Sequence, residues 1–372
     1  MNTDERLCSI ALTLCPGIGH IGAKRLVDTV GSAADVFRLR TELPERYPGI
    51  LHTSVVAALD NPAAFLQAEK ELEWAEKNRV DCLTLSDERY PSRLRDCEDA
   101  PIVLFFKGNA DLNRLRVVSM VGTRRATDYG KCFCTDFLRD LSELCSDVLV
   151  VSGLAYGIDV HAHRAALSSG LSTVGVLAHG LDRIYPAVHR KTAVDMLAEG
   201  GLLTEFLTNT NPDRHNFVSR NRIVAGMSDA VIVVESAAKG GSLITAELAE
   251  GYHRDCFAVP GRATDEYSMG CNQLIRDNKA ALINDASDFV KAMNWGHGEE
   301  SRKTAAVQRS LFPELTEEEM RVVKILSRDD LHINTLVVEA NIPVNRMSAI
   351  LFELEMKGVV KALVGGVYHL LA

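Results

Sequence analysis

The sequence predicts a doubly wound α/β domain, flanked by a helical module and by a small C-terminal domain of three helices and a β-hairpin. From residue 116 onward, short apolar runs rich in β-branched residues alternate with helical patterns, which is typical of a parallel sheet covered by helices. Residues 1–80 carry helical patterns instead. We therefore expect a helical module at 1–80, an α/β core at 81–295, a polar linker at 296–314 and a separate domain at 315–372.

The composition limits the class of protein. A length of 372 residues suits two or three domains, and 24% charged with 47% hydrophobic residues is ordinary for a globular chain. The formal net charge is -9 and the pI is about 5.7, so any nucleic-acid site must be a local basic patch. Nine cysteines without a CxxC pair favour reduced thiols. With no basic leader and no apolar run of membrane-spanning length, we expect a cytoplasmic protein.

The N-terminal stretch contains a GxGxxG pattern at residues 17–22 that does not suit a dinucleotide site. No strand precedes it, because residues 7–14 have helical spacing, and no βαβ unit follows it. Two helices joined by a tight hairpin explain the pattern better, and this arrangement is similar to helix-hairpin-helix modules. Such modules bind nucleic-acid phosphates through the hairpin backbone, and Lys24 and Arg25 would be the nearby cations. A purely structural role is the open alternative; a further helix is predicted at 62–78.

The core pattern predicts a series of buried strands with helices between them. The predicted strands span residues 102–106, 117–121, 148–151, 173–177, 202–205, 230–234, 257–260 and 281–283. In a doubly wound sheet, ligands bind outside the carboxyl ends of the strands. Four of these ends carry glycines, hydroxyl side chains or basic side chains, namely Gly122-Thr123-Arg124, Ser152-Gly153, His179-Gly180 and Lys239-Gly240-Gly241-Ser242. Because these segments converge on one rim of the sheet, they predict a groove lined by groups that bind phosphate.

Residues 217–261 carry the most concentrated phosphate signal. They form one βαβ unit, with a strand, the glycine turn at 239–242, a helix and a second strand. The turn glycines allow backbone N–H groups to approach a ligand, and the helix N-terminus directs partial positive charge toward it. Arg220 and Arg222 lie just upstream. An ordinary turn with surface arginines is the open alternative.

The C-terminal stretch follows the winged-helix plan. Helices are predicted at 317–326, 333–340 and 343–356, with Pro343 at the first helical position, and a hairpin at 359–363 and 367–370 around Gly365-Gly366. Winged helices often read DNA with the third helix. Here that helix offers Arg346 and Lys357 among Glu353 and Glu355, which is poor for phosphate contact. We therefore expect a partner-binding or structural wing.

Taken together, these segments resemble the DprA/Smf family of DNA-processing proteins. The matching segments, in the family's order, are Tyr90-Pro91 with Pro101 and Lys107-Gly108-Asn109; Val121-Gly122-Thr123-Arg124; SGLAYGIDVHAH at 152–163; Gly180-Leu181-Asp182 with Tyr185-Pro186; RNRIVAG at 220–226; GSLITA at 241–246; and AVPG at 258–261 with NQLI at 272–275. The resemblance implies an extended Rossmann-like core that binds single-stranded DNA without sequence preference. It also implies a homodimer that loads a RecA-type recombinase during natural transformation. In some members it includes a helical module (helix-hairpin-helix or SAM-like) and a winged helix.

Three positions depart from the family pattern. His189 stands where asparagine usually follows Tyr-Pro, and Val218-Ser219 stand where proline usually precedes the Arg-Asn-Arg segment. Asn278-Lys279 replace a common Gly-Ala. These departures change the expected contour of the groove more than the assignment.

The resemblance and the rim together predict the DNA contacts. Arg124, Arg220 and Arg222 would bind phosphates, because a planar guanidinium meets phosphate oxygens in pairs. Further cations and neutral donors complete the predicted DNA-binding set: Gly122, Thr123, Arg124, Ser152, Gly153, Arg190, Lys191, Arg220, Asn221, Arg222, Lys239, Gly240, Gly241 and Ser242. Tyr156 and Tyr185 would stack on bases or pack beneath a loop. We expect Asp159 to orient an arginine rather than to contact DNA, because a carboxylate that faces a phosphate would repel it.

Rival functions receive less support from the residues. His161 and His163 lie two residues apart, so on a helix they do not share a face, and no third metal ligand stands at a suitable spacing. The P-loop pattern is missing, which disfavours ATP hydrolysis, and the displaced GxGxxG disfavours a nicotinamide dehydrogenase. A Rossmann-like nucleotide phosphoribohydrolase, with Glu247 as catalytic carboxylate, is the alternative to a binding protein. We predict a non-enzymatic protein that needs no cofactor or metal.

Overall fold

The computed structural model describes residues 3–47, 56–145, 147–295, 315–327, 330–363 and 366–371. These residues form two compact units, one within Met1–Trp295 and one within Gly296–Ala372. The first unit unites the predicted helical module with the predicted α/β core. The predicted linker at 296–314 lies outside the described residues, and so does Gly365 in the turn of the predicted hairpin. No helix in the described parts is both long and apolar enough to cross a membrane.

The first unit begins with short helices that pack against one edge of the sheet. They are α1 (Thr3–Thr13), α2 (His20–Val30), α3 (Ala33–Arg38), α4 (Leu43–Arg46) and α5 (Pro62–Lys77). A tight turn joins α1 to α2, as the GxGxxG segment predicts, and the Asn61 side chain accepts a hydrogen bond from Ala64 N–H at the start of α5. Cys82, Val103 and Phe105 belong to the same hydrophobic core as these helices. The module therefore shares its core with the sheet.

The central sheet has nine strands within the described residues. They are β1 (Asp81–Thr84), β2 (Val103–Gly108), β3 (Arg116–Val121), β4 (Val148–Ser152), β5 (Ser172–Val176), β6 (Gly201–Thr204), β7 (Ala230–Val233), β8 (Asp255–Ala258) and β9 (Ala281–Leu282). Their spatial order is β1-β2-β6-β5-β4-β3-β7-β8-β9. Strands β3 to β9 pair in parallel, whereas β2 pairs antiparallel with both β1 and β6. This is the predicted doubly wound sheet, extended by two antiparallel strands.

Helices cover both faces of the sheet because each buried strand contributes side chains to two cores. The helices are α6 (Ser92–Arg95), α7 (Asp128–Leu144), α8 (Ile158–Ser168), α9 (Arg190–Glu199), α10 (Arg214–Gly226), α11 (Gly241–Gly251), α12 (Met269–Arg276) and α13 (Ala286–Ala292). In β3, Val117 and Val121 face the core built with α10, α11 and α12. Val118 and Met120 face the core built with α7, α8 and α13. The alternation follows from the two-residue period of a strand.

The sheet has its switch point between β3 and β7. From β3 the chain winds outward through β4, β5 and β6, and from β7 it winds the other way through β8 and β9. Val121 pairs with Val233, so both strands end at the same level. Crevices at such a point are where open α/β sheets bind ligands.

The second unit is a winged helix. It consists of α14 (Glu317–Leu326), α15 (Ile333–Ala340) and α16 (Val344–Met356), and of a three-stranded sheet in the order β10 (Leu331–His332), β12 (Val367–Leu370), β11 (Val360–Leu363). The Thr316 side chain accepts a hydrogen bond from Glu319 N–H, and the Glu319 carboxylate accepts one from Thr316 N–H. This capping box starts α14 where predicted. Pro343 is the residue before α16 rather than its first residue.

Several elements escaped the sequence analysis. Strand β1 was missed because it is short and starts with Asp81, and the helices α12 and α13 were missed because each is only two turns long. The strand predicted at 257–260 begins two residues earlier, as β8. The strand predicted at 281–283 ends one residue earlier, as β9. The remaining predicted strands match within one or two residues at either end.

Candidate functional site

A groove of about 740 Å³ opens at the switch point of the sheet. Its walls are the loop after β3, the loop after β7, the first turns of α11 and one face of α10. The predicted rim residues in the groove lining are Gly122, Thr123, Arg124, Arg220, Asn221, Lys239, Gly240, Gly241 and Ser242. The structure therefore brings together most of the predicted set.

The loop after β3 is held in place by the loop after β7. Thr123 N–H donates to the backbone carbonyl of Glu235 at 2.7 Å. The buried Glu235 carboxylate accepts hydrogen bonds from Thr127 N–H at 2.9 Å and from the Thr127 hydroxyl at 2.5 Å. Gly157 supports the same loop from behind: its φ is +77°, and a Cβ there would lie 2.1 Å from the Thr123 carbonyl oxygen. The sequence analysis missed Glu235, although a carboxylate directly after a buried strand was a usable signal.

The start of α11 forms a donor-rich end of the groove. Gly240 is the N-cap residue, and it provides no side chain to satisfy the first backbone N–H groups of the helix. Lys239 and Gly241 are exposed beside it, whereas Ser242 is buried and donates from its hydroxyl to Ser236 Oγ at 2.9 Å. The N–H groups of Gly241 and Ser242, for which the N-cap provides no side-chain acceptor, and the helix dipole make this end suitable for an anion.

One face of α10 lines the groove. Arg214, Phe217 and Asn221 follow one another at spacings of three and four residues and therefore align along the helix, with Val218 beside Phe217. Phe217 supports Arg124, whose guanidinium lies 4.8 Å from the centre of the ring. This cation–π contact orients an exposed arginine toward the groove. The sequence analysis missed Arg214 and Phe217 as groove residues, and their helical spacing with Asn221 was the signal that pointed to them.

Arg220 lies beneath the groove surface. Its residue is only 3% exposed, and Nη1 donates to the Gly153 carbonyl oxygen at 2.7 Å and to the Val176 carbonyl oxygen. Burial lowers the pKa of Arg220 to about 10, which still leaves the guanidinium charged at neutral pH. Gly153 is required here, because a Cβ would lie 2.4 Å from Arg220 Nη2. Arg220 thus ties together the ends of two strands.

Asp159 is the buried carboxylate near this arginine. Its Oδ2 accepts a hydrogen bond from Ala155 N–H at 3.4 Å. Burial raises the pKa of Asp159, and the nearby charge of Arg220 opposes that rise. This position agrees with the expected role of orienting an arginine.

Arg222 is not in the groove, which corrects the prediction that it binds phosphate. Its guanidinium is buried, with Nη2 bonded to the Glu205 carboxylate and Nη1 donating to the Asp99 carbonyl oxygen at 2.6 Å. Residues two positions apart in an α-helix project about 200° apart around the helix axis, so Arg220 and Arg222 point to different sides of α10. Arg222 stabilises the packing of α10 and leaves no free donor pair for a ligand.

Four other predicted residues also lie outside the groove lining. The Ser152 hydroxyl is buried and donates to the Met120 carbonyl oxygen at 2.6 Å, and Gly153 is covered by Arg220. Arg190 and Lys191 are exposed at the start of α9. Ser152 and Gly153 are therefore supporting residues, while Arg190 and Lys191 are available beyond the groove.

Exposed aromatic rings stand at the rim. Tyr156 and Tyr185 are 47% and 45% exposed, so neither is packed away beneath a loop. The Tyr185 ring centre lies 6.0 Å from that of Phe217, and the Tyr156 ring meets the His189 ring edge-on at 5.1 Å. His189, the departure from the family pattern, is buried and hydrogen-bonded through Nδ1 to the Leu154 carbonyl oxygen.

The groove combines both signs of charge. Arg124, Arg214 and Lys239 are exposed cations in its lining, and Asp213 and Glu247 are exposed carboxylates there. Asp213 is already engaged, because its Oδ1 accepts from Asn216 N–H at 2.8 Å as the cap of α10. Counting the buried Arg220 and Asp159, the lining holds four cationic and three acidic side chains, so the groove carries a small excess of positive charge on an acidic protein.

The histidines of the HAH motif have separate surroundings. His163 is fully buried, and its Nδ1 lies 2.7 Å from the Thr173 hydroxyl, which is a core hydrogen bond. Burial lowers the pKa of His163 to about 3, so the ring is neutral. Within the described ranges, no group of three or more histidine, cysteine or acidic side chains is placed to hold a metal ion.

Comparison with known proteins places this architecture in one family. A model of DNA recombination-mediator protein A matches residues 81–294, and a model of the DprA winged helix domain matches residues 308–366. The putative DNA processing protein DprA of Mycobacterium tuberculosis is 42% identical over 223 residues. That alignment covers 58% of this chain and 56% of the relative, so the chain spans little more than half of that relative's length.

Two solved structures are similar over longer parts of their own chains. DNA processing protein A from Streptococcus pneumoniae has a TM-score of 0.60 at 30% identity, covering 78% of this chain and 98% of that one. DNA processing protein A from Helicobacter pylori, a single-stranded DNA-binding protein, has a TM-score of 0.52 at 29% identity, covering 58% and 95%.

Proposed function

Since the chain belongs to the DprA/Smf family of DNA-processing proteins, we propose that it binds single-stranded DNA without sequence preference. We further propose that the bound protein loads a RecA-type recombinase, in natural transformation and recombination, and that it does so as a homodimer without catalysing a reaction. The observation that carries the DNA-binding proposal is the groove at the switch point, where exposed cations, a helix N-terminus and aromatic rings converge.

Phosphates are the part of the strand that this groove suits best. Arg124 and Lys239 supply charge from the two loops of the switch point, and Arg214 supplies it from α10. The N–H groups of Gly241 and Ser242, the first two residues of α11, add neutral donors that bind any phosphate alike. Contacts of this kind position the backbone and carry no sequence information, which supports binding without sequence preference.

Aromatic rings at the rim supply the second requirement of single-strand binding. Tyr185 and Phe217 lie side by side, and Tyr156 is exposed on the neighbouring loop. Stacking of bases on such rings is tolerant of sequence, because every base has a π-face. A duplex hides these faces, so single strands should be preferred.

Arg190 and Lys191 extend the proposed interface beyond the groove. Both are exposed in the first turn of α9, which follows the loop that carries Tyr185. A strand that leaves the groove past Tyr185 would meet them. We therefore keep both in the interface, and we leave out Arg222 because its donors are committed inside the protein.

A salt titration of binding to labelled single-stranded oligonucleotides tests the proposal. Three phosphate contacts predict a slope of log Kobs against log salt of about -2, and five contacts predict about -3.5. Homopolymeric and mixed sequences should give similar slopes, and duplex of matched length should compete poorly. Failure to bind single strands at low salt would contradict the proposal.

The recombinase and dimer proposals need their own measurements. Adding the protein to a RecA-type recombinase on strands coated with single-strand-binding protein should speed filament formation. Light scattering should give twice the 40.7 kDa of one chain. A monomer that nevertheless binds single strands would remove the dimer and leave the DNA site intact.

A nucleotide hydrolase is the second candidate, because Glu247 places an exposed carboxylate in the same groove. A phosphate at the start of α11 would leave Glu247, two turns into that helix, available to act as a base or nucleophile partner. Incubation with nucleoside monophosphates distinguishes the two functions. Release of a free base would favour the enzyme.

A further inference from the structure

The outward face of α16 in the winged-helix unit carries a stripe of apolar side chains. Val344, Phe352 and Met356 are 55%, 64% and 75% exposed. Phe352 and Met356 lie four residues apart and align along one face of the helix, and Val344 lies two turns nearer the N-terminus, about 80° to one side of Phe352. The opposite face is buried in the core of the unit through Met347, Ile350, Leu351 and Leu354. An exposed row of large apolar groups on a helix is a mark of an interaction site.

The charges of this unit make DNA a poor partner for that face. Arg346 forms an ion pair with Glu318 at 2.8 Å, and Lys357 forms one with Glu319 at 2.5 Å. Both cations near the ends of α16 are thus neutralised within the unit. Glu353 and Glu355 are exposed on the helix, and their carboxylates would repel the phosphates of a duplex.

The same two carboxylates border the stripe. At 100° per residue, Glu353 lies about 100° to one side of Phe352 and Glu355 about 60° to the other. Glu353 and Glu355 therefore stand on either side of Phe352 and Met356, which form the apolar centre of the face, and the Glu355 carboxylate also accepts a hydrogen bond from Ala362 N–H at 3.3 Å. The complementary surface has an apolar stripe with positive charge along both edges, because opposite charges at a rim favour the correct partner and its register.

We propose that this face of α16 docks an amphipathic helix of a partner protein, one whose apolar stripe is bordered by lysine or arginine. Phe352 and Met356 would be the central anchors, since exposed aromatic and methionine side chains adapt to an apolar helix face. The winged helix would then serve to recruit a protein rather than to read DNA. This inference concerns the second unit and goes beyond the proposed DNA-binding function.

The experiment uses the full chain and two synthetic helical peptides. Both peptides carry leucine at every third or fourth position, and they differ only in lysine or glutamate at the flanking positions. Fluorescence anisotropy should show the lysine peptide binding about tenfold more tightly than the glutamate peptide. Glu353→Lys combined with Glu355→Lys should reverse this preference.

Two variants locate the binding face. Phe352→Ser should weaken the lysine peptide about tenfold or more, whereas Val338→Ser should leave it unchanged. Val338 is the matched control, because it is 78% exposed but lies on α15 and not in the stripe. Both variants replace exposed side chains, and circular dichroism of the full chain over a urea series, which reports on the helices of both units, checks that each variant is folded.

Four results would overturn the proposal. They are equal binding of the two peptides, lysine-peptide binding that survives Phe352→Ser, loss of duplex DNA binding on Phe352→Ser, and loss of self-association on Phe352→Ser. The third would identify the face as a DNA reader, and the fourth would identify its occupant as a second copy of the chain.

Discussion

Arg124→Ala should change the salt dependence of DNA binding, whereas Arg222→Ala should change the stability of the protein. The reason is that the Arg124 guanidinium stands in the groove and the Arg222 guanidinium is buried in an ion pair. Arg124 is exposed and rests on the Phe217 ring. Its loss should remove one phosphate contact, which makes the slope of log Kobs against log salt less steep by about 0.7. Between 50 and 200 mM salt, the affinity of this variant should therefore fall about 2.6-fold less than that of the wild type.

Arg222→Ala should act on stability instead. The side chains of Arg222 and Glu205 are 7% and 5% exposed, so the substitution leaves a carboxylate buried without its cation. Breaking such a pair costs about 3–5 kcal/mol. His20 Nδ1 lies 3.4 Å from the same carboxylate, but burial lowers the pKa of His20, so this ring does not replace the lost cation near pH 7. The salt slope of the folded variant should equal that of the wild type.

Anisotropy over a salt series and urea denaturation measure the two quantities separately. Arg139→Ala is the matched control, since Arg139 is an exposed arginine on α7 that pairs with Asp136 and lies outside the groove lining. It should change neither quantity. The reasoning is refuted if Arg222→Ala flattens the salt slope without a loss of stability, or if Arg124→Ala leaves the slope unchanged.

Phe217→Ala should weaken single-strand binding about fivefold at an unchanged salt slope in the same anisotropy assay, because Arg124 keeps its charge but loses the ring that orients it. Glu247→Gln should strengthen binding about two- to fivefold, since it removes a carboxylate from the groove that we propose binds phosphates, and a nucleotide hydrolysis assay should show no change. The free energy of unfolding, measured in urea, should fall as pH drops below about 6.5, by up to about 1.4 kcal/mol per pH unit. The reason is that His163, with a folded pKa of about 3, takes up a proton only after unfolding; His163→Asn should lack this component.

Controls for these substitutions lie close by. Glu250→Gln changes an exposed carboxylate on the same helix as Glu247 but outside the groove lining, and should leave affinity unchanged. His253→Asn changes an exposed histidine and should keep the pH dependence of the wild type. If Glu247→Gln instead abolishes release of a base from nucleotides, the hydrolase is the better function.

The sequence predicted the sheet and the place of the site because both depend on short-range patterns. Continuous β-branched runs such as 230–234 are buried on both faces of a parallel sheet, and the glycine turns follow from the strand ends. The exact strand order was not needed to predict that the loops after β3 and β7 converge, because the carboxyl ends of parallel strands lie at the same edge of the sheet.

The sequence pattern did not predict the direction in which individual side chains point. Arg220 and Arg222 are only two residues apart in sequence. Their side chains have different partners because α10 packs against different parts of the sheet on its two sides. Arg220 meets the carbonyl groups at the ends of β4 and β5, whereas Arg222 meets Glu205, which follows β6. Glu205 lies 17 residues from Arg222, a separation at which charge pairing cannot be read from spacing.

Arg220 has a structural role in the groove that the sequence pattern did not predict. The carboxyl ends of parallel strands expose carbonyl oxygens, and their partial negative charge opposes an approaching phosphate. Arg220 covers two of them, the carbonyls of Gly153 and Val176, and remains charged beneath the groove. In this low-dielectric position its charge acts on the groove without touching a ligand. A charged arginine thus stands in the groove lining where the sequence predicted one, and its contact with phosphate stays a prediction.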